Sequence, residues 1–211
     1  MAVIGSGIAA SRLSPHDVGL ELFENAVATG AALVAIILAL GAVSGAHLNP
    51  VITVLDRVFG GLSTRAAGAY IGAQAIGGVA GAVLANLMFG LPAVAVSTHI
   101  RSEGGLWLGE VIATFGLVLV VFGVVRSGRA GVAPFAVGAY IAAAYFFTSS
   151  TSFANPAVTL ARSLSNTFAG IAPSSVPAFV AFQLVGTAIA VVAIRVLYPD
   201  MQPAETAEER S

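Results

Sequence analysis

Two short Asn-Pro segments inside a strongly apolar chain constrain the fold more than any other feature. They occupy residues 44–51 (SGAHLNPV) and residues 151–162 (TSFANPAVTLAR). In lipid, irregular backbone is tolerated only where it is buried in protein or lines a water-filled cavity. Asn is a preferred N-cap and Pro fits the first helical position, so each segment predicts a helix that starts inside the membrane. Two such starts, each with the positive end of its dipole facing the middle, predict a pore.

The composition indicates an all-α integral membrane protein. Apolar residues make up 57% of the chain, charged residues 9%, and the mean hydropathy is +0.94. Cysteine is absent and the three histidines are scattered, so we expect neither a metal site nor a cofactor. The net charge of −1 gives no reason to expect nucleic acid as a partner. No nucleophile, base and acid can be assembled into a catalytic set, so the chain is not expected to be an enzyme.

Hydropathy predicts five full spans, at residues 17–43, 66–90, 106–125, 132–147 and 178–198. The Asn-Pro segments start two half-helices, 49–58 and 155–164. At about 1.5 Å per residue each covers about half of the hydrocarbon thickness. Residues 1–16 are too few to cross a bilayer. We therefore expect one channel domain over residues 1–198, followed by a disordered acidic tail at 199–211.

An internal repeat relates residues 1–90 to residues 106–198. Each half has a span, an Asn-Pro segment, a half-helix and a further span that carries a glutamine, Gln74 or Gln183. An odd number of spans per repeat forces the halves to insert with opposite orientations. Six of the nine arginines fall on one side, which predicts that the first half-helix enters from the cytoplasm and that the C-terminus is cytoplasmic. These six arginines are Arg57, Arg65, Arg126, Arg129, Arg195 and Arg210.

These residues resemble the aquaporin, or major intrinsic protein, family over residues 17–198. Residues 44–51 resemble its first Asn-Pro-Ala box, with a valine in the third position, and residues 155–157 form a complete second box. The resemblance implies an aquaporin-like inverted repeat whose two half-helices meet at the membrane midplane. It places Asn49, Pro50, Val51, Asn155, Pro156 and Ala157 at the midplane of the pore.

The resemblance also implies a selectivity filter at Thr29, Ala143, Ser152 and Val158. The family usually has an arginine where this chain has Val158, so the predicted filter is wide, mostly apolar and without arginine. Arg162 lies one helical turn further on, and the filter role is not transferred to it. With residues 153–159 (FANPAVT), this pattern looks most like a bacterial subgroup associated with arsenical resistance.

Three buried polar side chains are predicted to have structural roles. Glu110 stands where the family places a glutamate that braces a pore loop, and Gln74 and Gln183 are amides that need partners inside the membrane. The first half departs from the family pattern. The span expected before residue 17 is almost absent, with residues 3–13 resembling its end, and the first-half counterpart of Glu110 is missing.

The resemblance implies a channel for passive flux of water and small neutral solutes in a multi-pass protein of the inner (plasma) membrane. The solutes would be polyols, metalloid hydroxides or methylated arsenicals. The resemblance also implies that the protein lies in the lipid bilayer and assembles as a homotetramer. The two Asn amides would donate hydrogen bonds to a solute at the midplane. The carbonyls predicted to accept hydrogen bonds along the path belong to Gly45, Ala46, His47, Leu48, Phe153 and Ala154.

Two other functions remain open at this point. An ion-coupled secondary transporter would also have inverted repeats and broken helices, but it should carry several charges inside the membrane. Only Glu110 and Glu24 qualify. A truncated relic of the family that no longer conducts is the second alternative, because a missing span would expose one side of the first half-helix to lipid.

Overall fold

The computed structural model describes residues 1–198, and the acidic tail predicted at 199–211 lies outside them. The described residues form eight α-helices and two short 3₁₀ turns. The helices are α1 (Ala2–Leu13), α2 (Val18–Ser44), α3 (Pro50–Val58), α4 (Thr64–Met88), α5 (Gly104–Arg126), α6 (Ala133–Phe147), α7 (Pro156–Arg162) and α8 (Val176–Leu197).

Five helices are long and apolar enough to cross a membrane: α2, α4, α5, α8, and α6 together with the turn that precedes it. The helix α1 is apolar but has only 12 residues. The half-helices α3 and α7 stand where the Asn-Pro pairs predict them. An all-α fold of five spans and two half-helices is therefore confirmed.

The second half-helix is shorter than its sequence predicts. It ends at Arg162, because the next two amides, those of Ser163 and Leu164, donate to carbonyls three residues back and so tighten the last turn. The five spans begin and end within about two residues of the predicted limits, which is the ordinary uncertainty of helix ends.

The two halves of the chain meet where α2 crosses α6, while α5 packs on α8 within the second half. Two glycines make the central crossing possible. A methyl group on Gly30 would lie 2.8 Å from the Gly138 carbonyl oxygen, and one on Gly138 would lie 2.6 Å from the Gly30 oxygen. Small residues of this kind let helices approach closely in lipid, where apolar side chains gain little by association alone.

The loop that joins the two halves lies against the segment that follows α7. Backbone hydrogen bonds connect Ala95 to Leu164 and Ser97 to Ser163, at 3.0 and 2.9 Å. The buried Asn86 reinforces this contact, since its amide donates to the Leu164 carbonyl and its oxygen accepts from a serine hydroxyl. These loops therefore fix the end of α7 that is farther from the middle of the molecule.

Candidate functional site: a passage through two half-helices

The two Asn-Pro loops have nearly the same backbone conformation. Gly45 and Thr151 have φ of +64° and +63°, and Ala46 and Ser152 have φ of +49° and +50°. Both pairs are left-handed, a conformation that residues other than glycine rarely adopt. The internal repeat therefore extends to the dihedral angles of these two positions, but not to the residue before each Asn, since Ala154 has φ of +45° and Leu48 is not among the residues with positive φ.

The two Asn side chains cap the half-helices and connect the loops to each other. The side-chain oxygen of Asn49 accepts from the Val51 amide at 3.0 Å, and that of Asn155 accepts from the Ala157 amide at 3.0 Å. Asn49 Nδ2 donates to the Ala154 carbonyl at 2.7 Å, and Asn155 Nδ2 donates to the Leu48 carbonyl at 2.8 Å. Each amide nitrogen carries two hydrogens, so one remains for a solute.

In the second half, a carboxylate holds the loop from behind. Glu110 is fully buried, and its two oxygens accept from the Phe153 and Ala154 amides, both at 2.9 Å. Gln183 donates to Glu110 at 2.5 Å and to the Thr159 hydroxyl at 2.9 Å. The partners of Glu110 are all donors, which is the pattern that an ionised carboxylate accepts.

In the first half, an amide takes the corresponding position. Gln74 donates to the His47 carbonyl and, at 2.9 Å, to the Thr53 hydroxyl. The imidazole of His47 packs against the Tyr70 ring, with its Nε2 atom 3.8 Å from Asp56. Among the residues that the structure describes, no carboxylate accepts from this loop.

A cavity of about 1040 Å³ runs past both loops. Asn49, Asn155 and Ala157 line it, whereas Pro50, Val51 and Pro156 lie behind its wall. Gln74 borders the cavity, but Glu110 and Gln183 support it from outside. All six predicted carbonyl residues, 45–48 and 153–154, are on its surface. The predicted midplane residues are thus split between the wall of the cavity and the packing behind it.

The carbonyls are less available than their predicted role implies. Those of Leu48 and Ala154 accept from the two Asn amides, that of His47 accepts from Gln74, and that of Ala46 accepts from a backbone amide. A carbonyl oxygen has two lone pairs, so each of these can accept once more. Each of these carbonyls already accepts one hydrogen bond that holds the loops together.

Of the four predicted filter residues, the structure brings three together. Thr29, Ser152 and Val158 line the cavity, but Ala143 is exposed on the other face of α6. The phase of α6 is the reason. Tyr145 lines the cavity, and a residue two positions earlier points to nearly the opposite side of a helix. Tyr145 Oη lies 3.4 Å from Thr29 Oγ1 and takes the place predicted for Ala143.

Arg162 also borders the cavity, although the sequence prediction left it without a role there. Its guanidinium carbon lies 3.4 Å from the centre of the Phe153 ring, and its Nε–H donates to the Ala169 carbonyl. A sequence signal existed. Arg162 is four residues after Val158, and helical side chains lean toward the N-terminus of their helix.

Fold and site together define a multi-pass helical membrane protein with a passage between two half-helices. The sequence profile of the family described as Major intrinsic protein matches residues 1–154. This chain belongs to the major intrinsic protein family, a family of membrane channels and not of enzymes.

Three relatives illustrate the similarity. The chain is 47% identical over 202 residues to Aquaglyceroporin AqpS of Rhizobium meliloti (strain 1021), covering 96% of this chain and 86% of the relative. It is 37% identical over 149 residues to Aquaporin NIP1-4 of Oryza sativa subsp. japonica, covering 66% and 53%. It is 32% identical over 139 residues to the Lens fiber major intrinsic protein of Oryctolagus cuniculus, covering 61% and 52%. The aligned parts span about half the length of the last two relatives.

Proposed function

We propose that this protein is a channel for passive flux of water and small neutral solutes. The observation that carries the proposal is the continuous cavity past both Asn residues, each of which keeps an amide hydrogen for a solute. The similarity to an aquaglyceroporin supports the same reading. Both oxygens of Glu110 are engaged by loop amides, which supports a structural role and favours uncoupled flux over ion-coupled transport.

We propose that the solutes include polyols, metalloid hydroxides or methylated arsenicals, because a smaller side chain stands at the filter position where the family usually has an arginine. Val158 occupies that position. The hydroxyl of Ser152 is buried, borders the cavity and has no hydrogen-bond partner among the described residues. A buried hydroxyl without a partner is costly, and a hydroxylated solute passing this point would satisfy it.

The remaining proposals rest on the family and on charge. We place the protein in the inner (plasma) membrane, with its C-terminus cytoplasmic, because most of the arginines lie on that side of the predicted topology. A homotetramer is expected from the family, and crosslinking of the protein in native membranes would test it.

The test is solute-driven swelling of proteoliposomes, comparing water, glycerol and trivalent and methylated arsenicals. Val158→Arg adds length and charge, whereas Val158→Met adds similar length without charge. We expect flux of the larger solutes through the unmodified chain and a fall of about tenfold in Val158→Arg, equivalent to about 1.4 kcal/mol in the barrier. Absence of flux from correctly inserted protein would contradict the proposal and favour a channel that does not conduct.

A further inference from the structure

Arg162 occupies an unusual position for an arginine in a membrane protein. Arg162 is only 3% exposed, yet it borders the cavity. The one contact within 4.0 Å between a basic and an acidic side chain in residues 1–198 joins His47 and Asp56, so no described carboxylate pairs with this guanidinium. A buried charge without a carboxylate partner is costly, and in lipid such residues mark pathways for solutes or ions.

The direction of the side chain brings the guanidinium to the constriction. Arg162 lies four residues after Val158, so the two share one face of α7. Because helical side chains lean toward the N-terminus, a side chain at position 162 is expected to extend toward the turn that carries Val158. The contact with Phe153, which precedes the helix, agrees with this direction.

The surrounding loops fix the guanidinium in this place. Two arginines lie near the Phe153 ring, with the guanidinium carbon of Arg162 at 3.4 Å and that of Arg101 at 5.2 Å from its centre. Arg101 Nε–H donates to the Gly170 carbonyl at 3.0 Å, next to the Ala169 carbonyl that binds Arg162. Burial lowers the pKa of the Arg101 guanidinium from its ordinary value, and the charge of Glu110 opposes that shift.

We infer that Arg162 supplies the positive charge and the N–H donors of the constriction, in place of an arginine at position 158. The constriction then consists of Thr29, Tyr145, Ser152 and Val158 with a guanidinium held over them. The constriction accepts neutral solutes that carry oxygen acceptors and rejects cations, because water screens a fixed positive charge less inside a weakly polar passage than at a protein surface. This inference deepens the proposed function and rests on it.

The test compares two planar solutes of the same shape and different charge, urea and the guanidinium ion, in proteoliposomes. In Arg162→Met, which removes the charge but keeps length, we expect the guanidinium-to-urea permeability ratio to rise at least tenfold. Arg162→Lys keeps the charge and should stay within about threefold of the unmodified chain. Arg195→Met removes an arginine at the end of α8, which does not line the cavity, and serves as the matched control. A merely structural role would lower both fluxes together and leave the ratio unchanged.

A labelling experiment decides the position of Arg162 without relying on flux. The chain has no cysteine, so Arg162→Cys carries a unique thiol. We expect a cationic methanethiosulfonate to modify this thiol at least ten times faster than the thiol of Ala161→Cys. Position 161 is the matched control, because it is buried and does not line the cavity. Attachment of the cationic group should lower the guanidinium-to-urea ratio, and attachment of an anionic one should raise it.

Each outcome has a defined meaning. A ratio in Arg162→Met within twofold of the unmodified chain, or equally slow labelling at positions 161 and 162, would overturn the assignment of Arg162. Absence of urea, glycerol and water flux through correctly inserted, unmodified protein would instead overturn the proposed function. Labelling would then still show whether position 162 faces the passage.

Discussion

The two pore loops begin with the same backbone conformation, at residues 45–46 and 151–152, but differ in what holds them. In the second half, the Glu110 carboxylate accepts two loop amides and is itself fixed by Gln183. In the first half, Gln74 binds the loop through a carbonyl and a threonine hydroxyl. Hydrogen bonds to a charged group are about twice as strong as neutral ones. The same loop geometry is therefore maintained by unequal forces, so the second loop should be the harder one to distort.

The difference continues in the helices behind the loops. The helix α5 has 23 residues and carries Glu110, whereas its counterpart α1 has 12 residues and approaches α2 through Asn25, whose amide donates to the Val3 carbonyl and the Ser6 hydroxyl. Neither of these contacts reaches the first loop. The first half thus has a packed α1 but no described equivalent of the carboxylate brace.

The sharpest test of this comparison is Glu110→Met. Removing the carboxylate leaves the Phe153 and Ala154 amides buried without partners, at about 1–3 kcal/mol each. We expect the free energy of unfolding in detergent to fall by about 2–6 kcal/mol, measured by denaturant titration with Trp107 fluorescence. Ile112→Met, on the exposed side of α5, is the control and should change little. A loss below about 1 kcal/mol in Glu110→Met would mean that the carboxylate is not the main support of the loop.

The two glutamines offer the next test, because they stand in equivalent places. Gln183→Met removes a hydrogen bond to a charged group as well as one to Thr159, and should cost about 2–4 kcal/mol. Gln74→Met removes two neutral hydrogen bonds and should cost about 1–2 kcal/mol. The same unfolding assay measures both. Equal losses in the free energy of unfolding would show that the charge of Glu110 adds nothing to the stability of the second loop.

Substitution of the Asn caps separates capping from the contact between loops. Asn155 caps two amides and Asn49 caps one, so Asn155→Ala should cost about 2–3 kcal/mol and Asn49→Ala about 1–2. Asn155→Ser keeps a capping oxygen but cannot reach the Leu48 carbonyl, and should recover about half of the loss. If serine recovers nothing, the contact between the loops dominates over the cap.

The smallest effects should come from the two residues with matching left-handed backbone. Thr151→Gly relieves a β-branched residue at φ +63° and should raise the free energy of unfolding by about 0.5–1 kcal/mol. Gly45→Ala should lower it by about 1 kcal/mol, and its new methyl group would also press on the His47 ring at 3.3 Å. Thermal unfolding of both variants measures the two shifts. A destabilised Thr151→Gly would indicate that the threonine side chain has a role in the loop.

Much of the architecture could be predicted from local sequence. An Asn followed by Pro inside an apolar run determines both a cap and the first turn of a helix, so α3 and α7 were predictable from a few residues each. The filter residues were harder to predict from the sequence. Counting along the chain points to Ala143, but the phase with which α6 packs on α2 turns Tyr145 to the cavity instead. Hydropathy does not show which side of a uniformly apolar helix faces the cavity.

The sequence by itself determined the membrane class, the five spans, the internal repeat and the two Asn residues that cap the half-helices. Each of these depends on hydropathy or on capping, which act within a few residues. Only the tertiary structure decided that Gln74 and Gln183 support the loops, that the two Asn amides cross between them, and that Arg162 lies against the Phe153 ring. These arrangements join residues far apart in the chain, and a contact of that kind exists only after the helices have packed.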